Sequence, residues 1–245
     1  MKRNLLLISS SRQNRKAQTL AHAREAIIEL LGDRRSLTFV PYARPDGISY
    51  ADYSGSIARA FSDLGLPYEV KGLEQFPVAA EGILQAEAIF VGGGNTFLLR
   101  NDISPLMELI QKRVREEGMP YMGSSAGSNM AGFSLHTTND MPIIYPPGFD
   151  ALDLIHFNIN PHYPRPQSED SMHSGESRDQ RLSEFHSVAA NRQPVAALRE
   201  DSMLFVSGKK IELRSAAGSP VKVFLQGKAP EEYPVGTDLS FLEKW

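Results

Sequence analysis

The chain has 245 residues, with 26 Lys or Arg against 29 Asp or Glu, for a formal net charge of −3. That near balance excludes the basic footprint of a general nucleic-acid binder, and no block of like charge marks a membrane-surface tail, so the expected partner is a small molecule. At 41% hydrophobic and 22% charged with no cysteine, the composition suits one cytoplasmic domain over residues 1–245 and excludes disulfides, a cysteine nucleophile and thiolate metal sites.

The first predicted element is a buried strand over 5–9. Its apolar run is shorter than the roughly 7–15 residues of a secretory core, and Ser9-Ser10-Ser11-Arg12 interrupts it at once. No segment approaches the roughly 20 apolar residues of a membrane span. Further strands are expected over 37–41, 88–91 and 119–123, with a weaker one over 68–71. Their nearly continuous apolar character suits a parallel sheet covered by helices on both faces. A helix is expected to start at Ser104-Pro105, with Ser as cap and Pro in the first turn. Leu106, Leu109, Ile110 and Val114 then share a face until Glu117-Gly118 ends it. Proline and polar residues crowd 133–176, which reads as loops and short strands over one edge of the sheet. Beyond Glu200, apolar runs at 203–206, 211–214 and 221–225 predict an antiparallel meander closing the same domain.

Directly after the strand at 119–123 comes Gly123-Ser124-Ser125-Ala126-Gly127, a G-x-S-x-G pattern. In a nucleophile elbow the central serine, here Ser125, stands on a tight strand-to-helix turn, and the amide of the next residue, Ala126, can donate to a developing oxyanion. A Gly/Ser-rich turn without catalysis has the same five residues. Gly92-Gly93-Gly94-Asn95-Thr96 follows another strand and can supply a second oxyanion donor through Gly93 or Gly94. It does not read as a dinucleotide fingerprint, because Phe97 stands where the third glycine belongs. A serine nucleophile needs a base. Of His22, His136, His156, His162, His173 and His186, His162 is the best placed, because Pro161 stiffens its approach from a strand. His22 and His186 lie in segments of helical spacing and read as surface or packing residues. No zinc spacing occurs, so neither a catalytic metal nor a cofactor is expected.

Taken together, Gly92-Gly93-Gly94-Asn95-Thr96-Phe97, the elbow at Ser125, Thr137-Thr138-Asn139-Asp140-Met141-Pro142, Gly148-Phe149-Asp150-Ala151-Leu152-Asp153-Leu154, Asn160-Pro161-His162 and Gly175-Glu176-Ser177-Arg178-Asp179-Gln180-Arg181 closely resemble the peptidase E family over almost the whole chain. These are the cytoplasmic α-aspartyl dipeptidases, serine peptidases grouped with the cyanophycinases. The resemblance implies a three-layer α/β/α fold with a mostly parallel, flavodoxin-like sheet, like that of class I glutamine amidotransferases. It also implies Ser125 as nucleophile and His162 as base, with Glu200 or Asp140 as the acid and Gly93 and Ala126 as oxyanion donors. Arg178 would grip the substrate's β-carboxylate through its planar fork. Asn95 and Asn139, inside the matching motifs, are further substrate-binding candidates. Arg199 and Asp201 stand where Pro and Gly are more common, and Ser124 where an aromatic residue is. The expected activity is exopeptidase hydrolysis of Asp-Xaa dipeptides through an acyl-enzyme. The alternatives are a cyanophycinase-like hydrolase of an aspartate-backbone polymer and a catalytically silent α/β binding domain. No nucleic acid or membrane partner is expected, and the chain is read as a monomer or homodimer.

Overall fold

The unbroken apolar runs become the centre of a large sheet in the computed structural model, which describes residues 2–44, 47–165 and 175–245. The parallel strands are β1 (Asn4–Ile8), β2 (Ser36–Val40), β3 (Glu69–Gly72), β4 (Ile89–Val91) and β5 (Tyr121–Ser124), and two antiparallel strands follow, β8 (Ser202–Ser207) and β9 (Lys210–Ser215). Their order is β3-β2-β4-β5-β1-β8-β9. The fold is thus mixed α/β with a large, mostly parallel sheet.

Because side chains alternate across a strand, each central strand feeds two cores. Leu5, Leu7, Ile89, Val91 and Tyr121 join one cluster with helices α3 (Ala79–Gln85), α4 (Thr96–Ile103), α5 (Met107–Arg115) and α6 (Ala126–Ala131). Leu6, Ile8, Phe39, Phe90 and Met122 join the other with α1 (Arg24–Leu31) and α2 (Tyr50–Asp63). No described helix is long and apolar enough to cross a membrane.

Three expectations need correction. The helix expected from Ser104 is preceded by α4, so Ser104 is no cap: it lies in a single 3₁₀ turn between α4 and α5, and its hydroxyl donates to Arg100 O at 2.7 Å. The segment after Phe133 does not lie along an edge of the large sheet. Its strand β6 (Asn158–Asn160) belongs to a second sheet, ordered β11-β10-β7-β6, with β7 (Val195–Ala197), β10 (Val221–Phe224) and β11 (Glu231–Tyr233). One face of this sheet meets the main core through Ile159 and Ala196. The other carries Val195, Ala197 and Phe224, which pack with Leu182 of α7 (Arg178–Ser187).

Nor is there a single C-terminal meander. β8 and β9 form a hairpin on the large sheet, whereas β10 crosses to pair with β7. The fully buried carboxylate of Asp201 explains the crossing. It gathers the chain just past β9, accepting hydrogen bonds from the Ser219 hydroxyl at 2.8 Å, the Ala217 amide at 3.2 Å and the Ser215 hydroxyl, and Arg165 approaches to 3.2 Å. Burial pushes the Asp201 pKa up, but the Ser215 and Ser219 hydroxyls and nearby amides outweigh it and hold the group below its ordinary 3.8. A carboxyl depressed in this way stabilises the fold fully above its unfolded pKa, and that contribution is lost as pH falls through the lower folded value. Asp201→Asn is therefore expected to lower stability near neutrality yet flatten its decline below about pH 4. Urea midpoints across that range check this, and an unchanged acid slope would count against it.

Candidate active site

The strand β5 ends in a backbone conformation that few side chains tolerate. Ser125 has φ 53° and ψ −109°, a positive-φ geometry that lifts the hydroxyl out of the strand direction. The small neighbours are sterically required. A Cβ on Gly127 would lie 2.1 Å from Val91 O, and Tyr121 Oη donates to Gly127 O at 2.6 Å, drawing α6 tightly onto the sheet.

The Ser125 hydroxyl lies 2.8 Å from His162 Nε2, and His162 Nδ1 lies 3.4 Å from Glu200 Oε1. These three residues come from different places. Ser125 follows β5 in the large sheet, His162 follows β6 in the second sheet, and Glu200 lies between β7 of the second sheet and β8 of the large one. His162 also has positive φ, at 55°. Its amide donates to Ser9 Oγ at 2.9 Å, and that hydroxyl donates to Leu198 O at 2.8 Å, so Ser9 stitches the β6 and β7 ends to β1. Ser9 was not singled out in the sequence, although a polar residue closing an apolar strand was the available signal.

Other candidates are placed differently from expectation. The Gly93 amide donates to Tyr53 Oη at 3.1 Å, and that hydroxyl donates back to Gly93 O at 3.2 Å, so the amide is already engaged. Among the described residues the amides of Gly94 and Ala126 have no hydrogen-bond partner. Gly94 has φ 147°, and a Cβ there would meet Ala43 O at 2.1 Å, which reserves the position for glycine. Asn95 caps α4, accepting from the Phe97 and Leu98 amides at 3.1 Å, and donates to Met141 O at 2.8 Å. Asn139 donates to Pro161 O at 2.6 Å and accepts from Asn160 Nδ2 at 2.7 Å. Both amides thus brace loops. Asp140 is not at His162: its Oδ2 accepts from the Thr96 amide at 2.7 Å and the Thr96 hydroxyl at 2.5 Å. Ser124 is the buried last residue of β5, paired with Ile8, and forms no exposed wall.

Arg178 is the first residue of α7, behind a capping box made by Ser177 and Gln180. A cation is disfavoured at a helix N-terminus, yet this one is half-buried and donates to Asn160 Oδ1 at 3.1 Å, two residues before His162. Burial, then the charge of Arg181, pull its pKa below the ordinary arginine value, against Tyr163, which raises it. Among the described residues it has no carboxylate partner. The next residue, Asp179, is held by the Tyr163 hydroxyl and by Lys222, which ties the start of α7 to the residue after His162. Arg199 is buried, bonded to Glu232 and to Pro220 O at 2.5 Å each.

A cleft of about 690 Å³ opens beside Glu200, walled by Ser10, Ser11, Arg12, Asn14 and Arg15. The remaining histidines stand apart from this chemistry. His22 is half-buried with neither ring nitrogen bonded, His136 stacks on Phe149, His156 faces Asp153, and His186 faces Gln193 O. His173 lies outside the described residues. No group of three metal-ligating side chains occurs among the described residues.

The chain is similar to known peptidases along nearly its whole length. The chain is 43% identical over 244 residues to a Drosophila melanogaster protein named "Probable alpha-aspartyl dipeptidase", covering 98% of this chain and 97% of that one. It is 42% identical over 241 residues to peptidase E of Streptomyces coelicolor, covering 98% and 94%. A crystal structure of a peptidase from an acI-B1 actinobacterium shares the fold with a TM-score of 0.67 at 20% identity, covering 98% of both chains. The model of peptidase family S51 matches residues 5–214. A serine, a histidine and a glutamate joined in series, carried by a chain that matches these peptidases almost end to end, make this protein a member of peptidase family S51.

Proposed function

We propose that the chain hydrolyses dipeptides with an N-terminal aspartate, using Ser125 as nucleophile. The observation that carries this reading is Ser125 Oγ at 2.8 Å from His162 and His162 at 3.4 Å from Glu200, with a half-buried arginine that bonds Asn160, two residues before His162, and has no acidic partner among the described residues. Neutral His162 accepts the Ser125 proton as the hydroxyl attacks the peptide carbonyl, then gives it to the departing amine. Water enters by the same route to release aspartate from the acyl-enzyme. Glu200 holds the Nδ1 tautomer and stabilises the imidazolium; its 3.4 Å approach tightens as that charge forms. Ala126 and Gly94, rather than Gly93, supply the free amides for the oxyanion. Arg178 takes the β-carboxylate of the substrate. The architecture reads as the three-layer α/β/α arrangement of class I glutamine amidotransferases, a reading supported by α1 and α2 on one face of the sheet and α3 to α6 on the other.

A cyanophycinase-like enzyme, facing the arginine side chains of its polymer, calls for an acidic cleft. Arg12 and Arg15 beside Glu200 argue against it.

The direct test is amine release from Asp-Leu, Ala-Leu, Leu-Leu and N-acetyl-Asp-Leu, together with two variants. Only Asp-Leu should be cleaved well. Glu200→Gln should lower kcat by about 10²-fold with little change in KM. That is less than the ~10⁴ of a buried triad acid, because the Glu200 side chain is 49% exposed and water partly substitutes. Asp140→Asn should act mainly through loosening of the Thr96 cap. Equal cleavage of the three free dipeptides would defeat the substrate assignment, and a kcat loss confined to Asp140→Asn would reverse the choice of acid.

A further inference from the structure

An aspartyl dipeptide carries a carboxylate on each side of the scissile bond: the aspartyl β-carboxylate and the α-carboxylate of the leaving residue. Arg178 can take only one of them. We infer that the cleft beside Glu200 receives the leaving residue, whose free α-carboxylate pairs with Arg12 and Arg15. This assignment rests on the aspartyl dipeptidase reading and extends it to the other half of the substrate.

The direction follows from the proton path. His162 Nε2 faces Ser125 and must reach the departing nitrogen, so the leaving residue starts at Nε2, and the imidazole, 38% exposed, leaves it room to run over the ring toward Glu200. Glu200 stands at the other ring nitrogen and forms part of the cleft wall. The opposite wall belongs to the loop that leaves β1 directly after Ser9, the residue that holds the His162 amide. This loop is built rather than slack. Ser10 Oγ donates to Arg12 O at 2.7 Å and accepts from the Arg12 amide at 3.3 Å, and the Leu20 amide donates to Ser11 O at 2.7 Å.

Charge supports the same occupant. Arg12 spends its Nε on Thr19 Oγ1 at 2.9 Å, which leaves its two terminal nitrogens for a ligand. Among the described residues neither Arg12 nor Arg15 forms an ion pair. Among the described residues the single carboxylate in the wall, Glu200, is turned to His162, so two guanidinium groups face one acid already in use. Such a wall favours an anion, and planar guanidinium groups match a carboxylate. A longer peptide would place a neutral amide at the same point, so the pair would also select for dipeptides.

The experiment is steady-state kinetics on Asp-Leu and on Asp-Leu amide, whose leaving residue lacks the charge, with the native chain and with the double variant Arg12→Ala, Arg15→Ala. The native chain is expected to prefer the free acid by about fivefold in kcat/KM, the upper size of a charge pairing at exposed side chains. The double variant should reduce that ratio to about one, through a higher KM for Asp-Leu. Arg12→Lys, Arg15→Lys should fall between. An unchanged ratio in the double variant, with Asp-Leu still cleaved, overturns the cleft assignment alone. A native chain that cleaves neither aspartyl compound overturns the dipeptidase reading, and the assignment with it.

Discussion

Ser125→Ala is expected to lower kcat on Asp-Leu by about 10⁶-fold while leaving the fold intact. The side-chain hydroxyl makes one hydrogen bond, to His162, so its removal takes away the reacting oxygen and no structural contact. The backbone bonds of the elbow persist, since the Ser125 amide still donates to Ile8 O and its carbonyl still accepts from the Ser128 and Asn129 amides. Alanine also has the same Cβ as serine, so the strain at φ 53° is unchanged. Labelling by a serine-directed fluorophosphonate should disappear together with turnover, and the thermal midpoint should hold. Ser124→Ala, in the buried end of β5, should cost less than tenfold. If Ser124→Ala is the variant that abolishes labelling, the elbow has been assigned to the wrong serine.

The second large effect concerns Arg178. Its fork sits half-buried with Arg181 as a like-charged neighbour, and in the proposed reading the β-carboxylate of a bound substrate supplies the missing counter-charge. Arg178→Met removes charge and donors together and should reduce kcat/KM on Asp-Leu by about 10³-fold, the scale for breaking a desolvated charge pair. Arg178→Lys retains the charge without the fork and should lie between Met and the native chain. Asn-Leu should be a poor substrate for the native enzyme, because its neutral amide leaves the guanidinium desolvated and unpaired. The thermal midpoint of Arg178→Met should be near or above the native value, since relief of the Arg178–Arg181 repulsion offsets the lost bond to Asn160. Equal losses on Asp-Leu and Ala-Leu would show that Arg178 serves folding rather than recognition.

Strands are legible wherever apolar residues cluster, which includes β8, β9 and β10 as well as the strands buried on both faces. β1, β2, β4 and β5 lie within two residues of their expected positions because continuous apolar runs mark them. β3 reads weakly because it is an edge strand with Glu69 and Lys71 exposed. The start of α4 is marked by Asn95, whose side chain caps the helix, a signal that its place in a glycine-rich motif obscures. The second sheet left little pattern, since β6 holds buried Asn158 and Asn160, and β11 is mostly exposed. Local chemistry could nominate Ser125 from its glycine neighbours, but nothing in spacing brings His162 and Glu200 to it. Those contacts arise where strand ends from two sheets meet: Pro161 after an apolar strand nominates His162, but Glu200 is anticipated by the family resemblance alone.

Because the proposed nucleophile follows a strand of one sheet and the proposed base a strand of the other, the proposed mechanism depends on their docking as well as on each sheet alone. Ser9 is the seam: its single hydroxyl joins β1 to both the His162 amide and the Leu198 carbonyl. Any sub-global opening that lifts β6 and β7 from that seam parts the imidazole from Ser125 while the five parallel strands remain assembled. On the proposed mechanism, loss of turnover ahead of global unfolding is the expected signature of the smaller sheet leaving its seat.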